Sequence, residues 1–184
     1  MTDLTDARIA LIAYLAEHSL GKWIGRTALM KYCYFLQVLR AVPLGYNVSL
    51  YSYGPFDSAV LSDLGDAEAL GIIEETPFLT GYGYKIKNVV SYEELEELAS
   101  GFLEKHKEDI DWVIQQFGAE SASDLELDST IVYIDREASA AGHHLSEDRL
   151  VQQVREVKPH FAESVIRRHV QASHQKQLLL ALDS

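Results

Sequence analysis

The stretch Tyr51–Leu64, YSYGPFDSAVLSDL, decides how the first half of the chain is read. Val48, Leu50 and Ser52 alternate with Ser49, Tyr51 and Tyr53, a period of two rich in β-formers that predicts a short strand. Gly54 opens backbone angles closed to other residues, and Pro55 suits the first helical position, where no amide hydrogen is needed. Asp57 then falls in a first helical turn, where the dipole favours a carboxylate. Phe56, Val60 and Leu64 recur every four residues and give this third helix a buried edge. Gly54-Pro55 is therefore expected to be a strand-to-helix corner.

Working outward, TDARIALIAYLAEH predicts a first helix capped by Thr5 or Asp6. Ile9, Leu11, Ile12, Tyr14 and Leu15 make it apolar over most of its circumference. SLGKWIG is a short connection with a glycine near each end. RTALMKYCYFLQVLR predicts a second helix with two faces. Ala28, Leu29, Tyr32, Phe35, Leu36 and Leu39 form the core stripe, and Met30, Tyr34 and Val38 a thinner second one. Packing against the C-terminal helices is the ordinary explanation of the second stripe, and docking of a partner is the alternative. After Gly71, a helix-ending glycine, IIEETPFLTGYGYKIK predicts two short strands joined by a loop containing Pro77 and Gly81. Helix, helix, strand, helix and hairpin is the element order of a winged-helix domain.

From Ser91 the pattern becomes helical. Ser91 and Glu94 form a capping box, and Leu95, Leu98, Phe102, His106, Ile110, Val113 and Phe117 continue at three- or four-residue steps to Gly118. A further helix carries the stripe Leu127, Ile131, Ile134 and Ala138. The next runs from its cap at Ser146 to its stop at Pro159. The last spans His160 to about Leu182, with Phe161, Val165 and Ile166. The expected fold is mainly α (α+β), with a winged-helix-like domain at 1–90 and a helical extension at 91–184 packed on it, as two domains or one.

The totals narrow the function classes. Residues 1–90 carry 7 Lys and Arg against 9 Asp and Glu, and residues 91–184 carry 9 against 19, within a net charge of −12. Such a chain is repelled by phosphate at long range and suits solubility or a basic partner. No apolar run reaches the roughly 18–20 residues that cross a bilayer, and the N-terminus lacks the basic opening of a secretory signal, so a cytoplasmic protein is expected. A single cysteine, Cys33, excludes an intrachain disulfide and a cysteine zinc cluster.

No reaction is legible. Adjacent His143 and His144 diverge, His169 and His174 are five apart where four is the useful helical spacing, and His160 and Glu163 lack a third ligand. His106 on its apolar stripe reads as a hydrogen-bonded core histidine. No Gly-x-Ser-x-Gly elbow is present, Cys33 sits mid-helix among bulky apolar residues, and GYGYK lacks the third glycine of a phosphate loop. The expectation is a non-enzymatic protein with no cofactor and no metal.

DNA binding is disfavoured by the third helix, which holds Asp57, Asp63, Asp66 and Glu68 but no Arg or Lys. Arg26, Lys31, Lys85 and Lys87 are the compensating cations, and they carry the alternative reading. In it, the chain is a winged-helix transcription regulator that binds DNA as a dimer or with a partner.

IGRTALMKYCYFLQ followed by LYSYGPFDSAVLSDLGDAEALGIIEE resembles the opening of the YwgA-like bacterial proteins, which are related to the phage-associated Panacea antitoxin-domain group. The shared features are the Gly25-Arg26-x-x-Leu29-x-Lys31-x-x-Tyr34 helix and a strand ending in Tyr53-Gly54-Pro55. The later LELDSTIVYI and KPHF segments are similar to that group's as well. The resemblance implies a module that neutralises a protein partner by contact, antitoxin-like or a regulatory adaptor in a bacterial or phage-associated system. Met30, Tyr34, Tyr51, Tyr53 and Phe56 are the expected partner contacts, because tyrosine offers large area with little entropy to lose.

Overall fold

The computed structural model describes residues 4–20, 23–78 and 83–182. In chain order the elements begin with α1 (Leu4–Glu17), α2 (Arg26–Leu39), β1 (Ser49–Tyr51), β2 (Gly54–Phe56) and α3 (Ser58–Ala69). Next come β3 (Ile73–Pro77), β4 (Tyr84–Asn88), α4 (Tyr92–Ala99), α5 (Phe102–Lys105) and α6 (Lys107–Phe117). The order closes with α7 (Ala122–Ala140), α8 (Glu147–Val157) and α9 (Glu163–Gln175). The described chain is mostly helical, with two small antiparallel sheets, and none of its helices is long and apolar enough to cross a membrane.

Two units divide the chain: residues 1–48 with 57–120, and residues 49–56 with 121–184. The boundary expected near residue 90 falls inside the first unit, because α4 and α5 pack on α1 and α6 packs on α2. Gly21 and Gly81 lie outside the described residues.

In the first unit α1 is enclosed by α3, β4 and α4, so Ile9 through Leu15 are all buried, as its apolar circumference predicts. Leu4 is already helical, which places Thr5 and Asp6 within the first turn instead of at the cap. α2 is buried without interruption from Leu29 to Leu36, since both of its stripes are covered. Phe35 stacks on Phe117 at 4.0 Å, and the Tyr32 hydroxyl donates to the Phe117 carbonyl. Asp63, buried on α3, binds Arg8 of α1 at 2.9 Å and accepts from the Tyr46 hydroxyl at 2.8 Å. Burial, then the neighbouring Cys33 and Asp63, push the Tyr46 phenol far up, so it remains a donor.

The hairpin of β3 and β4 pairs Ile73 with Asn88 and Pro77 with Tyr84; Pro77 therefore ends a strand instead of sitting in the loop. Ile24, between α1 and α2, adds an antiparallel bridge to Ile86. The six-turn helix expected from Ser91 to Gly118 is broken instead into α4, α5 and α6. Ser100 and Gly101 both adopt left-handed angles, φ 49° and 84°, and end α4. Within α4 Leu95 and Ala99 are the buried positions and Leu98 is only partly buried, and beyond the break Leu103 is buried with Phe102 partly so.

Cys33 is fully enclosed, and burial pushes its thiol up to about 12. A thiol held so far above neutral pH has almost no thiolate to attack a disulfide reagent. Native protein at pH 8 is expected to react with an aromatic disulfide only at the rate of local opening, and at once in strong denaturant. Rapid labelling of native protein would contradict this burial.

In the second unit β1 and β2 form a hairpin, with Ser49 opposite Phe56, Leu50 opposite Pro55 and Tyr51 opposite Gly54. The expected corner at Gly54-Pro55 is corrected here: both residues belong to β2. Helix α3 starts only at Ser58, with Asp57 as its N-cap accepting from the Ala59 amide at 2.9 Å. Phe56 accordingly belongs to the strand and not to the helix edge formed by Val60 and Leu64. α7 opens with a capping box of Ser121 and Asp124, and α8 with Ser146, which accepts from the Arg149 amide. Leu127, Ile131, Leu145, Leu150, Val151, Val154, Ile166, Val170 and Ala181 form the core of the unit.

α9 is shorter than the expected His160–Leu182 helix. After Gln175 the chain turns through Gln177, φ 57°, and runs back along α7. Buried Asp135 explains the change: its two oxygens accept the Leu180 and Ala181 amides, each at 2.8 Å. Arg136, paired with Asp135, donates to the Leu178 carbonyl. These bonds satisfy a tail whose backbone would otherwise be buried without partners.

Candidate functional site

A buried polar cluster in the second unit lies where the β1–β2 hairpin meets α7 and the end of α8. Leu127 and Ile131 face the apolar core, while Glu126, Ser129 and Thr130, spaced three and four apart, share another face of α7. All three are buried. The Ser129 and Thr130 hydroxyls both donate to the Glu126 carbonyl, at 3.1 and 2.8 Å, so neither is left unsatisfied.

Gly54 rests directly on this surface. A Cβ at its position would lie 3.1 Å from Ser129 Oγ, 3.2 Å from Thr130 Oγ1 and 3.3 Å from the Glu126 carbonyl. Its φ of +87° also favours glycine. The hairpin is held from the other side by Lys158, the C-cap residue of α8, whose side chain is 1% exposed. Lys158 Nζ donates to Glu126 Oε1 at 2.7 Å and to the Ser52 carbonyl in the hairpin turn. His160 Nε2 lies 3.5 Å from the same Glu126 oxygen, with its ring largely in solvent. Tyr133 receives a further backbone hydrogen bond from Leu50. A buried ion pair, a carbonyl cap and a glycine contact thus fix the hairpin on α7.

What the clamp presents is its tip. Tyr51 is 62% exposed and Tyr53 74%, and the Tyr51 ring lies 5.3 Å from the half-buried Phe56 ring. Lys158, Glu126, Ser129 and Thr130 are engaged with one another or with the hairpin. Elsewhere in the unit His169 is held by Asp128 at 2.6 Å and lies 3.6 Å from Asp124, so it is paired with carboxylates rather than with His174. Among the described residues no group of three or more His, Cys, Asp or Glu side chains is arranged to hold a metal ion.

The expected contact residues separate into two sets. Tyr51, Tyr53 and Phe56 come together on the hairpin. Met30 and Tyr34 are 5% and 4% exposed, so the second stripe of α2 is covered by the chain itself, and these two are withdrawn from the contact set. The expected DNA-facing cations do not form a free patch. Lys31 is buried, and Arg26 makes a two-pronged bond to Glu75 that raises its pKa, while its guanidinium lies over the Tyr84 ring. Lys85 lies over Trp23, and Lys87 stands opposite Glu74 in the β3–β4 register.

Glu126 and Lys158 lie outside the expected site residues, although LELDST and KPHF both belong to the segments that carry the resemblance. The available signal was Glu126, Ser129 and Thr130 sharing one face of α7. No family model matches the chain, and no curated protein does either.

Proposed function

We propose that this chain is a non-enzymatic protein-interaction module, antitoxin-like or a regulatory adaptor, that meets its partner with the tip of the β1–β2 hairpin. The supporting observation is the pairing of two exposed tyrosines with a buried clamp beneath them. Exposed aromatics on a mobile loop lose entropy on binding, whereas a hairpin already fixed by Lys158 and Gly54 presents them in one arrangement. The resemblance to proteins that act by protein contact points the same way. So does the net charge of −12, which favours a basic protein partner.

The test compares wild type with a Tyr51→Ser/Tyr53→Ser double variant in nuclease-treated extract of the native cell. The variant is expected to lose at least roughly tenfold in recovery of a stoichiometric partner, because aromatic anchors dominate interfaces. Its melting temperature should stay within about 2 °C, since both rings are in solvent. Equal recovery by wild type and variant would remove the hairpin tip from the interface.

A winged-helix regulator is the second reading, and one observation favours it. The Ile24–Ile86 bridge places a strand residue between α1 and α2 beside β4, giving the order helix, strand, helix, helix and hairpin. Against it, the exposed charges of α3 are Asp66 and Glu68, which repel phosphate. Salt-dependent retention on duplex DNA, with partner recovery lost on nuclease treatment, would favour this reading over the first.

A further inference from the structure

In the second unit, apart from the hairpin, the segment 178–182 is held as a bound peptide is held, through its backbone. Asp135, fully buried on α7, accepts the successive Leu180 and Ala181 amides at 2.8 Å each. Arg136 donates to the Leu178 carbonyl at 2.9 Å, and the Leu145 amide donates to the Ala181 carbonyl at 2.8 Å. Leu182 pairs in parallel with Leu145. The side chains add a simple code: Leu178 and Ala181 are buried, while Leu180 is exposed. Strand-type peptide recognition divides its labour in this way, with main-chain bonds for affinity and pockets for alternate side chains.

The turn that delivers the segment conflicts with its own sequence. KQLLLAL, residues 176–182, consists of good helix formers, and no glycine or proline stands between Glu163 and Leu182. α9 nevertheless stops at Gln175, and Gln177 takes a left-handed φ of 57°, where glycine or asparagine is usual. The Gln177 amide there donates to the His174 carbonyl and the Leu178 amide to the Ser173 carbonyl. A helix continued through Leu178 would pair the same four groups the other way round, Gln177 with Ser173 and Leu178 with His174. Opening the turn therefore loses no hydrogen bond of its own and releases one left-handed residue.

We infer that residues 178–182 exchange between two copies of this chain. α9 runs on through Gln177, and each segment seats against Asp135, Arg136 and Leu145 of the other copy. A second copy is the occupant that fits, because it brings the same backbone and the same side-chain code, and the bonds of the segment re-form between chains. The gain is the release of one left-handed turn per chain. A short tether gives the closed segment an effective concentration in the millimolar range. Releasing two left-handed residues shifts the balance toward exchange by at least about tenfold. A dimer dissociation constant on the order of 0.1 mM follows.

The experiment measures the mass of the full chain by light scattering over a concentration series up to about 1 mM, the range the effective concentration sets. Each sample is first annealed a little below the melting temperature, so that the turn can open. A dimer fraction that rises with concentration is expected. Gln177→Gly keeps the turn without its steric cost and should raise the dimer dissociation constant at least about tenfold. Glycine suits this position, so the variant should fold. A sample mixed from nitrogen-labelled and carbon-labelled copies shows what is exchanged. In isotope-filtered NOE spectra the Leu145 amide of one copy should contact Leu182 of the other. A chain that stays monomeric, a dimer whose Leu145–Leu182 contacts remain within one copy, or a Gln177→Gly variant with unchanged dimerisation would each overturn the exchange. A monomer that instead takes up a synthetic peptide of residues 177–182 would also overturn it, and would assign the groove to an extended apolar segment of another protein.

Discussion

Gly54→Ala is expected to destabilise the protein by about 2–5 kcal/mol, and Gly54→Val by more. Two costs combine at this position. A φ of +87° is strained for any L side chain, at roughly 1–2 kcal/mol. The new Cβ would also sit 3.1–3.3 Å from Ser129, Thr130 and the Glu126 carbonyl, where the nearest atoms are short side chains and helix backbone that can give little. Overpacking of that kind costs roughly 1–3 kcal/mol. Gly142 provides the control, since it has a φ of +72° in the same unit but nothing within 4 Å of its would-be Cβ. Gly142→Ala should therefore show the backbone cost alone, about 1–2 kcal/mol. Urea unfolding of both variants measures the difference. Equal destabilisation would mean that the hairpin does not rest on α7.

That contrast also shows where sequence reading works and where it stops. Signals that are local and have one outcome were legible: the capping box at Ser91, the cap at Ser146, the unbroken apolar circumference of α1 and the β3–β4 hairpin. Gly54-Pro55 was misread because its local signal has two outcomes. A glycine and a proline before Asp57 fit the start of a helix as well as the return strand of a hairpin, and residues far along the chain decide between them. The second stripe of α2 shows the same limit. Periodicity identifies which residues share a face, but not what covers the face; packing was the ordinary explanation of this stripe, and burial of Met30 and Tyr34 removes the docking alternative. The break at Ser100-Gly101 was hidden by a hydrophobic repeat that continues across it.

Buried charges were the least legible part, because a Lys or Glu in an amphipathic helix ordinarily reads as solvated. Asp63, Asp135, Glu126 and Lys158 are all buried, and each acts on a segment distant in sequence. Asp135 ties down the tail after α9, and Lys158 ties down the hairpin turn. Both devices use a side chain to satisfy backbone groups that no regular element satisfies. The exposed part of the candidate site was accordingly readable from composition, while the part that holds it in place was not.

Lys158→Ala follows from this division, and it should cost about 3–5 kcal/mol, the usual range when one member of a buried ion pair is removed. The loss has two sources: the Glu126 carboxyl is left in a buried place without its ammonium partner, and the Ser52 carbonyl loses its donor. His160, 3.5 Å from Glu126 and mostly in solvent, is too weakly placed to substitute. Removing both charges should be far milder. Lys158→Met with Glu126→Leu leaves no orphaned ion, and the double variant is expected to recover most of the single-variant loss, with only the Ser52 carbonyl still unpaired. A double-mutant cycle by urea unfolding isolates the coupling, which should exceed about 1.5 kcal/mol. Hydrogen exchange separates the clamp from general stability. In Lys158→Ala the amides of Leu50 and Tyr51 should lose protection beyond that of α7, because the hairpin opens before the helix does. If Lys158→Ala and Lys158→Met/Glu126→Leu were equally unstable, the loss would lie in the unpaired Ser52 carbonyl, which both variants share, and not in the orphaned charge of Glu126. If hairpin and helix amides lost protection together, the clamp would be part of one cooperative core. The tyrosines would then owe their placement to the whole unit and not to Lys158.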